Sequence, residues 1–472
     1  MIAAGPLTGT GHPLQRAGSW AVAVLAGRSS PDEVTDADAG RVAHMVVQDV
    51  CRAATAVKDT DAYDWWKVLN ALYPNSKATH NARSRDGARL RGEIEKLFVA
   101  DVAEAVVGPC VFCSAAASVV WSKSCLPLFD THKAVNVLPP GVAGWPVCRG
   151  CRIALWALPY GAWVSAGSAT VLSCESEAAV GQFARRNVQR ARRITQAGFK
   201  GLPAGARPEY VALTALRDAA PGLCATTLWS FKNDNQEPWL RVTQTRRAVP
   251  KFLARVDANA GLRRGWHLLS SSLTRRDKTG KVTVSGPQEA ARLLFEAEDG
   301  RARSLLRQLH QLLEDTGRSW GAGGREALAR LAFAYAEEVL GMTPDVTAVA
   351  TLIAEWIARG TSPRGRFAEY RSAALSDYKL GALLMQAYSR LLLDGQAPQL
   401  AGPKDWQVLI QQRPRAWEQR MLLFAQVTLL LQQQGVAISA RPADEEEQRL
   451  FEVLESRPML DDEEFDYEMG PA

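Results

Sequence analysis

GPCVFCSAAASVVWSKSCLPLFDTHKAVNVLPPGVAGWPVCRGCRIALWALPYG, residues 108–161, interrupts an otherwise helical pattern with glycines, prolines and paired cysteines. Cys110-Val-Phe-Cys113 and Cys148-Arg-Gly-Cys151 are two C-x-x-C knuckles. Each sets two sulfurs on one tight turn, and two such turns complete the tetrahedral shell that Zn2+ favours. The stretch between them is longer than in a compact zinc ribbon and suits an inserted loop or hairpin. A disulfide pair, a redox-active C-x-x-C and an iron–sulfur cluster compete for the same residues. Two matched knuckles in a chain of modest cysteine content favour structural zinc over these. No histidine lies at ligand spacing inside either pair. Cys110, Cys113, Cys148 and Cys151 therefore read as a closed shell that does not activate water. Cys125 and His132, between the pairs, are possible substitute ligands, whereas the isolated Cys51, Cys174 and Cys224 read as packed thiols.

Outward from the knuckles, residues 1–107 read as mostly helical. Ser30-Pro31-Asp32-Glu33 has the proline and early acids of a helix start, and 36–57 carries apolar residues at helical spacing. Trp65, Trp66, Leu69, Leu72 and Tyr73 make an apolar stripe that reads as core. The knuckles form a zinc-ribbon-like insertion at 108–162, and a basic α+β region at 163–285 completes the N-terminal domain. In that region, 225–231 and 239–245 are β-rich runs joined by the polar loop KNDNQEP, the pattern of a hairpin. Residues 184–196 form one basic helix. Apolar spacings of three and four predict helices over 288–314, 325–341, 345–359, 365–394 and 414–434, which pack as an all-α bundle at 286–440. An acidic tail occupies 441–472. The fold class is α+β.

Charge is distributed unevenly. The net charge is +6, yet 181–282 holds 20 Lys and Arg against 6 Asp and Glu, and 441–472 holds 3 against 12. So basic a middle segment suggests a polyanion-binding surface, with phosphate backbones as the partner; the plainer reading is a solvated arginine-rich surface. Arg186, Arg190 and Arg193 fall at i, i+4 and i+7, one helical face, with Arg185 and Arg192 at its fringe. Lys232, Arg246, Arg247, Arg275, Arg276 and Lys278 extend the track. Asn233, Asn235 and Gln236 carry amides able to read base edges, although Asn and Asp also favour turns without any ligand.

Other function classes find little support. The longest nearly apolar run, 421–431, is too short for a membrane helix, and the N-terminus lacks the basic-then-apolar pattern of a secretory signal. The cytoplasm is the default compartment. GTGHP at 9–13 lacks the Lys-Ser/Thr of a phosphate loop, and no serine elbow, H-E-x-x-H or converging carboxylate set is present. A non-enzymatic role is expected.

Several segments together resemble a known family. LTGTGHPLQRAG at 7–18 is similar to the "TG-x-P-x-x-x-x-G" opening of one family of CRISPR Cascade large subunits, found in type I-B and related Myxococcus-type systems. CVFC, the Pro-Leu-Phe segment at 127–129, Asn136, WPVCRGC and ALPYG resemble that family's zinc insertion. LWSFKNDNQEP at 228–238, then VPKFL and RGWHLL, look like its strand and polar loop. The matches cover most of residues 7–270, and the helical second half is similar only in texture. The acidic tail and the high Trp content depart from the pattern. The resemblance implies a non-catalytic subunit of an RNA-guided surveillance complex, with guide RNA and Cascade backbone subunits as partners. It implies recognition of the target-flanking motif and binding of target duplex and displaced strand. It also implies recruitment of a separate nuclease–helicase. The alternatives are a zinc-containing DNA- or RNA-binding protein unrelated to CRISPR, and an enzyme using zinc or a second metal.

Overall fold

Pro13 opens the first helix, α1 (Pro13–Leu25), because its fixed φ and missing N–H suit the first helical position. The computed structural model describes residues 7–58, 60–122, 124–127, 144–165, 167–197, 207–233, 238–297, 304–318, 320, 323–343, 345–395, 401–413, 415–438, 449, 453 and 456–460. Helices α2 (Asp36–Thr55), α3 (Asp61–Leu72) and α4 (Gly87–Glu95) follow. Pro31–Glu33 is only a 3-10 turn; the working cap of α2 is Thr35. Its hydroxyl accepts from Asp38 N at 3.2 Å while the Asp38 carboxylate accepts from Thr35 N at 3.1 Å, a reciprocal capping box.

The knuckle segment is part of the core and not a detached insertion. Two short ribbons, β1 (Gly108–Pro109) with β2 (Ala116–Ala117) and β3 (Val120–Trp121) with β4 (Trp145–Pro146), lead into α5 (Arg149–Gly161). Every residue of α5 from Cys151 onward is buried, and the helix packs along α1. Two glycines make the approach close enough. A Cβ on Gly18 would lie 1.9 Å from Ala154 O, and one on Gly161 would lie 2.8 Å from Ala17 O. Trp156 of α5 stacks on Tyr73 with ring centroids 4.4 Å apart, and the stripe from Trp65 to Tyr73 is buried as core.

The sheet of this unit holds β5 (Trp163–Ser165), β6 (Ser168–Cys174), β7 (Thr226–Lys232) and β8 (Trp239–Gln244), antiparallel in the order β8-β7-β6-β5. The expected hairpin is β7–β8, with Trp229 opposite Val242 and, on its other side, Val171. Helices α6 (Glu177–Gln196) and α7 (Pro208–Ala219) lie between β6 and β7 in the chain.

The chain divides into two units between Thr245 and Arg246, not at the expected boundary near 285. The reason is that α8 (Val249–Ala258) and α9 (Ala260–Leu273) bury Phe252 and Trp266 with the later helices, α9 packing on α12. The second unit continues with the ribbon β9 (Arg275–Arg276) and β10 (Val282–Val284), so it is not purely helical. Helices α10 (Gly286–Arg292), α11 (Leu305–Glu314), α12 (Gly324–Glu338), α13 (Thr347–Ala358), α14 (Pro363–Ala373), α15 (Asp377–Leu393), α16 (Pro403–Ile410) and α17 (Ala416–Gln433) follow. The helix expected over 288–314 is broken, since α10 stops at Arg292. The one expected over 365–394 is split at Ser376, whose hydroxyl caps α15 by accepting from Lys379 N at 3.3 Å. Tyr370 and Phe424, stacked with centroids 5.3 Å apart, lie at the core with Trp356. No described helix is long and apolar enough to cross a membrane.

Candidate metal centre and basic surfaces

The first knuckle is a turn closed by Ser114 N donating to Cys110 O at 2.8 Å and Cys110 N to Ala115 O at 2.7 Å. Ser114 takes the left-handed conformation, φ 64°, that reverses the chain. In the second knuckle, Cys148 is the N-cap of α5 and Cys151 lies in its first turn, where the helix dipole favours negative sulfur. Val111 N donates to Pro146 O at 3.0 Å and ties one knuckle to the other. The four Sγ atoms all lie within 4.8 Å of one another, Cys113 to Cys148 at 3.5 Å. Tetrahedral zinc with bonds of about 2.3 Å puts its sulfurs roughly 3.8 Å apart, so the spacing fits. Cys125 stands outside the cluster, and His132 lies outside the described residues. All eight cysteines are free thiols, with Cys51, Cys174 and Cys224 buried as expected.

Hydrogen bonds from Cys113, Cys148 and Cys151 pull Cys110 far down, and Cys113 settles at about 7. By donating hydrogen bonds to Cys110 and then Cys113, Cys148 and Cys151 are held as thiols, well above the ordinary thiol range. A divalent cation at the centre would stabilise all four as thiolates together.

Two supporting residues are absent from the sequence-based set. Gln15 is fully buried. Its Nε2 donates to Thr8 O at 3.0 Å, Ser19 Oγ at 3.0 Å and Cys151 Sγ at 3.5 Å. Its Oε1 accepts from Thr10 N at 3.0 Å and Thr10 Oγ1 at 2.7 Å. The TG-x-P opening is thereby folded against the cysteines, with His12 edge-on to Phe112 at 5.1 Å. Asp101 is the second. Its Oδ2 accepts from Arg149 N at 2.6 Å, and its Oδ1 from Ser118 N at 3.1 Å and Arg152 Nη2 at 3.0 Å. Arg152 is fully buried and also donates to Leu97 O and Val99 O, both at 2.9 Å, while its Nε finds no hydrogen-bond partner among the described residues. Gln15 falls at an unspecified position of the TG-x-P-x-x-x-x-G opening, and nothing in the sequence around Asp101 marks that residue.

The proposed arginine track is rearranged by packing. Arg190 is buried, its guanidinium 4.0 Å over the Trp163 ring and donating to Val164 O at 2.9 Å, so it is structural and does not face solvent. Arg186, Arg190 and Arg193 do not make one solvent face, because Arg190 stands beside the buried Phe183, Asn187 and Ile194 of α6. Arg186 pairs with Asp218 at 2.5 Å, and Arg217 shares that carboxylate. Arg185 is half-buried; Arg192 and Arg193 are exposed, Arg192 donating to Leu25 O at 3.0 Å. Asn233 is buried: its N–H donates to Ala71 O at 2.8 Å and its Nδ2 to Leu72 O at 3.3 Å, which fastens the hairpin to the end of α3. Lys232 is half-buried, and Asn235 and Gln236 lie outside the described residues. Arg246 pairs with Glu296 at 2.8 Å, and Arg247 is exposed.

The β9–β10 ribbon keeps its cations in solvent. Arg275, Arg276, Lys278 and Lys281 are all exposed, and among the described residues none has a carboxylate partner. Asp277 faces its own turn, accepting from Thr279 N at 2.8 Å and Lys281 N at 3.1 Å, and Gly280 closes it at φ +84°. The result is a short arm bearing four positive charges.

No protein-family model matches the chain, no curated protein matches its sequence and no solved structure matches its fold. The geometry by itself defines an α+β chain with four clustered cysteines suited to a metal ion.

Proposed function

We propose that this chain is the zinc-bearing, non-catalytic large subunit of an RNA-guided DNA-targeting CRISPR surveillance complex. In this reading it recognises the target-flanking motif, binds target duplex and displaced strand, and recruits a separate nuclease–helicase. The observation that supports it most is the contact between Gln15 Nε2 and Cys151 Sγ at 3.5 Å. Two segments that resemble the family, one at the N-terminus and one at the knuckles, are parts of a single buried site. Four thiolates around one Zn2+ would be structural: Cys110, Cys113, Cys148 and Cys151 would hold it, and its binding energy would stabilise the fold. Protein contacts would fall on flanking motif and backbone while guide pairing reads sequence.

The exposed arm at Arg275–Val284 also fits a second reading, a zinc-containing nucleic-acid-binding protein that acts alone. Co-expression with a CRISPR array and backbone subunits distinguishes the two. A single purified complex with guide RNA and about one zinc per copy of this chain is expected. Recovery of free, metal-free chain alone would contradict the first reading.

A further inference from the structure

The sequence charge balance hides a second basic site, because 77–91 holds five basic residues against the single acid Asp86 in a part of the chain that averages near neutral. In the first unit this segment and α4 form a pocket open to solvent, of about 550 Å3, lined by Lys77, His80, Arg83, Ser84, Arg89 and Glu93 among others. The guanidinium of Arg83 is held flat, 4.0 Å over the Trp66 ring, with Nε donating to Ala54 O at 2.6 Å. No carboxylate among the described residues pairs with Arg83 or Arg89. The one acid in the wall, Glu93, is already shared by Lys77 at 3.2 Å and Lys96 at 3.1 Å. His80 Nδ1 accepts from Ala82 N at 3.1 Å, which leaves the other ring nitrogen to face a ligand. The contrast with Arg186, Arg190 and Arg246 is direct: those are neutralised or buried by the fold, whereas the charge here is not.

Two uncompensated guanidiniums, an imidazole and a hydroxyl make the donor set that phosphate oxygens accept from. The volume is larger than one phosphate needs and lies in the range of small-molecule sites. We propose that this cavity binds the phosphate of a nucleotide, supplied by a free nucleotide or by the end of an RNA or DNA strand. The inference does not rest on the guide-complex reading, since a lone nucleotide is a sufficient probe.

The test is calorimetric titration of the full chain with AMP against adenosine, and with a short oligoribonucleotide carrying a 5′ phosphate against its 5′-hydroxyl twin. Phosphate-dependent binding is expected in at least one pair. A stronger effect in the oligonucleotide pair assigns the site to strand ends, and an effect confined to AMP assigns it to free nucleotide. Arg89→Gln and His80→Gln, both at exposed positions, should each weaken binding about tenfold. Arg83→Gln tests the same point only if circular dichroism shows the fold intact. Equal binding of both members in both pairs, or phosphate-dependent binding unaffected by the Arg89→Gln/His80→Gln double variant, overturns the proposal.

Discussion

Gln15 carries no charge, yet it touches both a cysteine sulfur and the segment that opens the chain. Outer hydrogen bonds of this kind orient metal ligands, and removing them commonly costs ten- to a hundredfold in metal affinity. Gln15→Ala should therefore weaken zinc retention by about that factor in competition with a chelator; unchanged retention would remove Gln15 from the site. His310 gives a test of packing. Its ring is buried against Phe424 at 4.8 Å, and burial, helped by nearby Arg307, lowers its pKa to about 4 from 6.5 even though the Glu314 carboxylate lies 3.5 Å from Nε2. The unfolded chain thus binds the proton more readily between those two values. Stability from a neutral His310 is complete above pH 6.5 and is lost as pH falls towards 4, by ~3 kcal/mol at most. Denaturant titrations across that window should show a shallower loss in His310→Gln than in the parent chain; equal slopes would contradict the assignment. At this scale the cysteines were legible and Arg190 was not. A C-x-x-C turn brings its sulfurs together locally. A guanidinium at i+4 of a basic helix carries no sign of which face the sheet will cover.

Elements show the same division. Periodicity marked α2, α12, α13 and α17 closely, and the turn-rich loop marked the β7–β8 hairpin. It merged α14 with α15, because Ser376 and Asp377 cap a new helix without interrupting the apolar spacing. It also passed over the β9–β10 ribbon as an element, although Arg275, Arg276 and Lys278 were singled out for charge. That arm is the better candidate for nucleic acid than α6, since its cations are exposed and have no carboxylate partner among the described residues. Reversing Arg275, Arg276 and Lys278 to Glu should reduce the salt slope of DNA binding by about 0.9 for each phosphate that the arm no longer neutralises, with little change in folding. Filter binding at several salt concentrations measures the slope, and an unchanged slope would exclude the arm from the interface.

For the whole molecule, the α+β class and the four-cysteine cluster could be read from spacing alone, whereas the division at Thr245 could not. The VPKFL and RGWHLL segments lie close in sequence to the basic hairpin region, but Phe252 and Trp266 bury their rings with the later helices. The knuckles, likewise, read as an insertion but supply α5, the buried helix against which α1 and Tyr73 pack. Long-range packing decides these points, and no local pattern records it. The functional account therefore rests on an assembly. Its most direct test is the affinity of a guide-loaded complex for a matched duplex bearing the flanking motif, measured with and without this chain. The account predicts tight, motif-dependent binding with the chain and its disappearance without it. Equal binding by both complexes would contradict it.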